Sequence, residues 1–495
     1  MESERKLEGD TGKKKIINGL FWRYSERTCA QGVQFIVSIV LARLLSPNEY
    51  GCVGLITVLI AIGNVFVQAG FGNALIQKKD ADQIDFSSVF YISIGMGILL
   101  ASIVQFIAPY VAEFYEQPLL TQPIRVLSLM LVLAGINSVQ QAYVSRKMIF
   151  KKFFLATIIG TIISAFVGII LAYNGFGIWA LVAQQLTNQF IDTLVLWFTV
   201  RWRPSFIFSF SRVRKMFSFG WKLLVSSLID TVYNNIYTFV IGKIYSAESV
   251  GYYNRGKNIP NLVITNINSS IQSVLFPAIS KEQNNKERMK VLVRRSIMTS
   301  TFLIFPCMAG LAAVAEPLTV ILLTEKWLPC VPFMQFCCFV YAFWPVHTAN
   351  LQAISAMGRS DIYLKLEIQK KILGMGILIV TIPMGIYAMM VGRCISTVIC
   401  SFLNAKPNKE LLGYSFKEQL LDIMPAFILS IIMAGIVSIF NFTNWNVWII
   451  LIIQVLSGSV IYLIGAKVFR LESMGFLLKT LKQYMEYSRK VDVCN

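Results

Sequence analysis

Arg23, Arg27, Gln31, Gln34 and Ser38 are spaced to share one narrow stripe of a helix, at roughly 0, 40, 80, 20 and 60° for a rotation of about 100° per residue. Glu26 flanks that stripe and can carry a proton. Lys222, Ser226, Asp230, Tyr233 and Tyr237 repeat the arrangement at nearly the same angles. A third stripe holds Asn254, Asn258, Asn261, Thr265, Asn268 and Gln272, with Arg255 and Lys257 beside it and Pro260 inside it. Thr57, Asn64 and Gln68 form a weaker fourth. Guanidinium forks match the oxygens of phosphate, and amides and phenols can replace water around hydroxyl groups. The chemistry these residue types suit is non-covalent capture of a large polar anion.

The elements that must carry them are membrane helices. Of 495 residues, 56% are hydrophobic and 14% charged, and the mean hydropathy is +0.62. Such a chain is a polytopic helical membrane protein. It holds about fourteen apolar segments of crossing length, joined by connections too short to fold alone. The net charge of +19 would suggest nucleic acid in a soluble protein. Here the basic residues concentrate in alternate connections, such as "RWRPSFIFSFSRVRK" and "KEQNNKERMKVLVRR", whereas "EFYEQPLLTQ", "AYNGFGIW" and "NFTNWN" are nearly free of them. That is a positive-inside pattern with both termini cytoplasmic, so no nucleic-acid partner is expected. A charged stretch precedes the first apolar segment without a small-residue cleavage signature, which reads as a retained helix.

"ARLLSPNEYG" (42–51) lies over "GKIYSAESVG" (242–251) at an offset of 200, pairing Ser46 with Ser246 and Gly51 with Gly251. Six spans separate the copies, as in parallel repeats about an axis along the membrane normal. The expected organisation is a cytoplasmic segment 1–17, an N-lobe 18–200 with six spans and a cytoplasmic linker 201–218. A C-lobe 219–405 with six more follows, then 406–466 with two added spans and a preceding loop, and a cytoplasmic amphipathic tail 467–495 lying on membrane lipid.

An ionised side chain near the bilayer centre costs on the order of 3 kcal/mol or more, so the stripes must face one another or water. Isolated amides and hydroxyls commonly act as interhelical glue, and Arg23 and Arg27 can snorkel to the headgroups. Long polar stripes on four helices point instead to a hydrated cavity between the halves. Its cations are Arg23, Arg27, Lys222, Arg255 and Lys257, with Arg393, Lys370 and Lys371 further off; its acids are Glu26, Asp230 and Asp192. A phosphate joined to sugar, with a lipid tail left in the bilayer, fits this set. The proposed binding residues are Arg23, Arg27, Gln31, Gln34, Lys222, Tyr233, Asn254, Arg255, Asn258 and Asn261, with Glu26 and Asp230 as proton-coupling candidates.

No GxxxxGK[ST] phosphate loop is present, the nine cysteines are scattered, and the single histidine, His347, lies within a span. Neither a cofactor, a metal nor enzymatic chemistry is expected, and His347 reads as a satisfied core side chain.

The stretches "LARLLSPNEYG", "AGFGNALIQKKD", "GFGIWALVAQQL", "FSFGWKLLVSSLID", "IGKIYSAESVGYYNRGKNIPNL", "VLFPAIS", "AEPLTVILLTEKW" and "AMGRSD" resemble the polysaccharide transporters of the multidrug/oligosaccharidyl-lipid/polysaccharide (MOP) superfamily. The nearest likeness is to Wzx-type flippases of the colanic acid and teichuronic acid branch. The resemblance implies an all-α protein of two pseudo-symmetric six-helix lobes, as in the MATE transporters, around a central cavity, plus two C-terminal helices. It implies an undecaprenyl-pyrophosphate-linked oligosaccharide as substrate, turned across the bacterial cytoplasmic membrane for surface polysaccharide synthesis, with polymerase or export machinery as partners. Related flippases place cations on their first, second, seventh and eighth helices. Arg23, Arg27, Lys222 and Arg255 occupy matching places here, and the second helix has no cation. The alternatives are a peptidoglycan-precursor flippase, a drug or cation antiporter of the same superfamily and, from another class, a membrane polysaccharide polymerase or glycosyltransferase. The last would need acid/base residues at a membrane surface, and the outer connections are poor in them.

Overall fold

The computed structural model describes Trp22 and residues 28–68, 71–78, 80–283, 285–477 and 479. These residues are mostly helical, with no strand among them. Ten helices are long and apolar enough to cross a membrane, among the described residues. Four more helices stand where spans were expected, at Thr28–Leu44, Ile178–Thr199, Phe210–Ile244 and Ser360–Thr381. The chain is a multi-pass membrane protein, and its contacts divide it into two units, Met1–Gly251 and Tyr252–Asn495.

In the first unit the helices are α1 (Thr28–Leu44), α2 (Pro47–Gln68), α3 (Phe71–Gln77), α4 (Gln83–Phe114), α5 (Thr121–Leu127), α6 (Leu129–Lys147), α7 (Lys151–Tyr173), α8 (Ile178–Thr199) and α9 (Phe210–Ile244). The start of α10 (Ala247–Lys281) also belongs to it. One apolar core joins α1, α2, α7 and α8 through Leu41, Leu45, Val53, Ala165 and Leu181. Another gathers Phe86, Phe90, Val139, Phe153 and Leu196 around Trp202.

That second core explains the fate of the basic stretch 201–218. Only its first half is extended, because the chain is docked on the N-terminal end of α4. The Gln83 amide donates to the Arg203 carbonyl at 2.6 Å, the Trp202 indole donates to Gln83 Oε1 at 2.8 Å, and the Ser209 N–H donates to Ser88 Oγ at 2.9 Å. Helix α9 then begins at Phe210, and its contacts along α2, α3 and α4 place it with the first unit rather than the second.

Asp82 caps α4 in a reciprocal capping box with Asp85. Asp85 is fully buried and pairs with Lys78 at 2.5 Å, while Arg212 of α9 reaches Asp82 at 2.6 Å and Asp85 at 3.5 Å. The Arg212 guanidinium holds the Asp82 carboxyl down at about 2. Because the folded-state value is depressed, this pairing is complete above the ordinary carboxylate range and is lost as pH falls through about 2. Asp85→Asn leaves Lys78 facing a neutral group, and Lys78 can still reach water. The expected loss is about 2 kcal/mol, below the roughly 3–5 kcal/mol for a fully buried pair because Lys78 is partly exposed, read as a lower unfolding midpoint in detergent at neutral pH. An unchanged midpoint would remove Asp85 from the structural core.

The two repeat decapeptides meet in this unit. Ser46 caps α2 with Glu49, whose carboxylate accepts from Ser46 N–H at 2.6 Å and Oγ at 2.8 Å. Ser246 caps α10 by accepting from the Ser249 N–H at 3.0 Å. The two helix starts then cross so closely that a Cβ at Gly51 would lie 1.5 Å from the Ala247 carbonyl oxygen. One at Gly251 would lie 2.1 Å from that of Pro47. Residues 200 apart thus do the same job on both sides of a local two-fold.

The second unit holds the rest of α10, then α11 (Lys286–Ala313), α12 (Ala315–Leu323), α13 (Val331–Ala342), α14 (Trp344–Ala356), α15 (Ser360–Thr381), α16 (Ile386–Leu412), α17 (Phe416–Ser438) and α18 (Val447–Val468). Phe302, Leu429, Met433, Val437, Tyr462 and Ala466 pack α11, α17 and α18 together. Amides supply the glue between helices: Asn350 and Gln419 exchange hydrogen bonds of 2.8 and 3.0 Å, and Asn408 donates to Asn350 Oδ1 at 2.6 Å, all three fully enclosed. His347 accepts from Asn404 at Nδ1, 2.9 Å away, and lies 3.5 Å from Ser401 Oγ through Nε2.

Candidate functional site

Buried amides such as Asn350 show what polar groups look like when they serve as glue, and the stripes differ from them. On α9, Lys222, Ser226 and Asp230 are exposed and Tyr233 and Tyr237 half-buried. On α10, Asn258, Thr265 and Gln272 are exposed, Asn254 and Asn261 half-buried, and Asn268 buried. On α1, Gln34 is exposed and Gln31 and Ser38 half-buried. A helix of membrane length that leaves a polar row uncovered by the rest of its chain needs water or a polar ligand against it. Arg23, Glu26 and Arg27, which head the first stripe, lie outside the described residues.

The cations of α10 divide between two faces. Arg255, about 100° around the helix from Asn254, is buried at 7% exposure with its guanidinium 5.5 Å from the Trp327 ring. Gly256 presses against the Cys330 carbonyl beside it, where a Cβ would come within 2.7 Å. Arg255 is therefore part of the packing of this unit, and the exposed stripe is elsewhere. Lys257 lies on the stripe side, half-buried, with its ammonium 6.0 Å from the Tyr253 ring. Arg393 of α16 donates to the Tyr253 hydroxyl at 2.8 Å. Two cations from different helices thus converge on one enclosed tyrosine, an arrangement suited to an anion with several oxygens. Of the weaker cations, Lys370 is paired with Glu367 at 2.5 Å and Lys371 is half-buried. Asp192 is turned into the first unit, where it accepts from Asn137 at 3.0 Å.

In the first unit, Asn64 and Gln68 of α2 line a cavity of 360 Å³ with Ser138, Gln141 and Ser145 of α6. Asn64 Oδ1 is buried there without a hydrogen-bond partner among the described residues, so it is ready for a water or a hydroxyl. The α6 residues did not emerge from the sequence, although their spacing at i, i+3 and i+7 sets them on one helix face. They run directly into "SRKMIFKK", whose positive charge reads as a topology signal and hides the short polar row.

No cluster of metal-binding side chains occurs among the described residues.

The chain as a whole is similar to known proteins. A family model described as "Polysaccharide biosynthesis protein" matches residues 40–332. The lipopolysaccharide biosynthesis protein WzxC of Escherichia coli (strain K12) is 24% identical over 430 residues, covering 85% of this chain and 86% of that one. The teichuronic acid biosynthesis protein TuaB of Bacillus subtilis (strain 168) is 26% identical over 355 residues, covering 70% and 73%. Among solved structures, the lipid II flippase MurJ in an inward closed conformation shares the fold with a TM-score of 0.74 at 14% identity, over 91% of this chain and 98% of that one. An inward-facing MATE transporter of the MOP superfamily gives 0.61 at 14% identity, over 77% and 94%. The MOP-type fold and the Wzx-type resemblance expected from the sequence are met by these matches, and the chain belongs to the polysaccharide biosynthesis protein family.

Proposed function

We propose that this protein is a flippase that carries an undecaprenyl-pyrophosphate-linked oligosaccharide across the bacterial cytoplasmic membrane by alternating access around a cationic cavity. The observation that carries the reading is the exposure of the polar rows of α9 and α10, in contrast to the enclosed amides Asn350, Asn408 and Gln419. Family membership supports the link to surface polysaccharide. Lys257 and Arg393, together with Lys222, Arg23 and Arg27, would pair with the pyrophosphate, while Asn254, Asn258, Asn261, Tyr233, Gln31 and Gln34 would replace water around the sugars. Arg255 would support this site from behind, through Trp327. Both termini would be cytoplasmic, by the distribution of lysine and arginine. Glu26 and Asp230 would be the acids that couple movement to a proton.

The test is a gene deletion complemented by the wild-type chain, with lipid-linked oligosaccharide measured on the inner leaflet and glycan measured at the surface. The deletion should trap the intermediate inside and lose the surface glycan, and complementation should reverse both. Normal surface glycan with no trapped intermediate in the deletion would end the proposal.

A further inference from the structure

Beyond α18 the chain reverses. Lys467 sits in the last turn of that helix, and Arg470 follows with a left-handed φ of +49°, a conformation disfavoured for any residue with a Cβ. The segment after it folds back on α11. Ser473 Oγ donates to the Met298 carbonyl at 3.2 Å, and Leu471, Met474 and Leu477 pack on the core around Phe302 and Tyr462. Between this returning segment, α11 and α18 lies a cavity of 920 Å³.

Arg295, Lys467, Arg470 and Lys479 line it, with Glu472 as the one carboxylate among the described lining residues. Glu472 is engaged by Arg294 at 3.2 Å, and that guanidinium also grips Asp422 with two bonds of 2.9 and 2.8 Å. The Arg295 guanidinium lies 5.3 Å from the Phe476 ring, which holds it in place. Met298, Ala466, Leu471 and Met474 give the wall an apolar part, and Thr299 and Ser473 add two hydroxyl groups. The cavity stands at the end of α18, a helix of membrane-crossing length, and the ends of such helices meet the phosphate level of a bilayer.

We propose that this cavity binds a phosphate-bearing anion, and that its source is the headgroup of an anionic membrane phospholipid. The cations take the phosphate, and the apolar wall takes the glycerol and the start of the chains. Arg470, held in the left-handed conformation, is a fourth cation in the lining. This assignment stands on the second unit's own geometry and is independent of what the protein transports.

The experiment uses the purified full-length chain in detergent. Its unfolding midpoint is followed while phosphatidylglycerol, phosphatidylcholine or soluble glycerol 3-phosphate is added, and lipids retained by the folded protein are counted by native mass spectrometry. Phosphatidylglycerol is expected to raise the midpoint at a concentration at least tenfold below that needed for phosphatidylcholine, and glycerol 3-phosphate to act only far above it. In Lys467→Gln/Arg470→Gly the lipid effect is expected to fall at least tenfold. Glycine adopts the left-handed conformation readily, so this variant should fold as wild type does in the absence of lipid. If its lipid-free midpoint drops, the retained-lipid count on the Lys467→Gln single variant decides. Equal responses to the two lipids, or undiminished retention in the variants, would overturn the site. Saturation by glycerol 3-phosphate at the same concentration as phosphatidylglycerol would assign it to a free phosphate compound and overturn the lipid source.

Discussion

Gly51→Leu and Gly251→Leu are each expected to lower stability by about 3 kcal/mol and to abolish glycan export in complemented cells. At both positions the space a side chain would need is filled by a backbone carbonyl, that of Ala247 at 1.5 Å and that of Pro47 at 2.1 Å from the added Cβ. A carbonyl in a helix cannot rotate away, so the start of α2 and the start of α10 must separate. Overpacking a tight core costs 1–3 kcal/mol, and sites where only backbone can yield fall at the upper end of that range or beyond. Separation would also tilt α10, and with it the row Asn254, Asn258 and Asn261 that begins one turn later. Unfolding midpoints in detergent measure the first effect, and surface glycan at matched protein levels measures the second. Gly51→Leu with wild-type midpoint and export would show that the crossing is looser than its geometry.

The second large effect separates the two kinds of cation on α10. Lys257→Gln and Arg393→Gln are expected to reduce transport roughly tenfold or more each while leaving the protein folded, since a charged hydrogen bond to a ligand contributes about 1.5–3 kcal/mol. Lys257→Arg should retain part of the activity, because the charge remains. Arg255→Ala should behave differently, lowering the unfolding midpoint through lost packing on Trp327 and lowering transport only as the folded fraction falls. The readouts are the rate of transfer of lipid-linked oligosaccharide in reconstituted vesicles and the midpoint of each variant. Normal transport by both glutamine variants would remove the Tyr253 cluster from the site.

Much of the candidate site follows from periodicity. Lys222, Ser226 and Asp230 share a face of an α-helix, and all three are exposed. Arg255 shows the limit of that logic. In the sequence it is a cation next to Asn254 and belongs with the site. In the fold it lies about a quarter turn away, where the segment containing Trp327 and Cys330 covers it. Lys257 and Arg393 show the reverse case. They are 136 residues apart, and nothing in either stretch says that Tyr253 brings them together. The amides Asn350, Asn408 and Gln419 look in sequence like members of another polar row, and they are glue only because three helices bring them face to face.

By itself, then, the sequence determined the membrane class, the helical architecture and the repeat of Ser46 and Gly51 at Ser246 and Gly251. These follow from hydropathy, helical period and capping chemistry, which act over a few turns of chain. Only the tertiary structure decided which polar residues stay uncovered, which cations converge, and that the returning tail closes a basic cavity against α11. Those outcomes depend on which helix lies beside which, and burial is a property of neighbours that are distant in the chain.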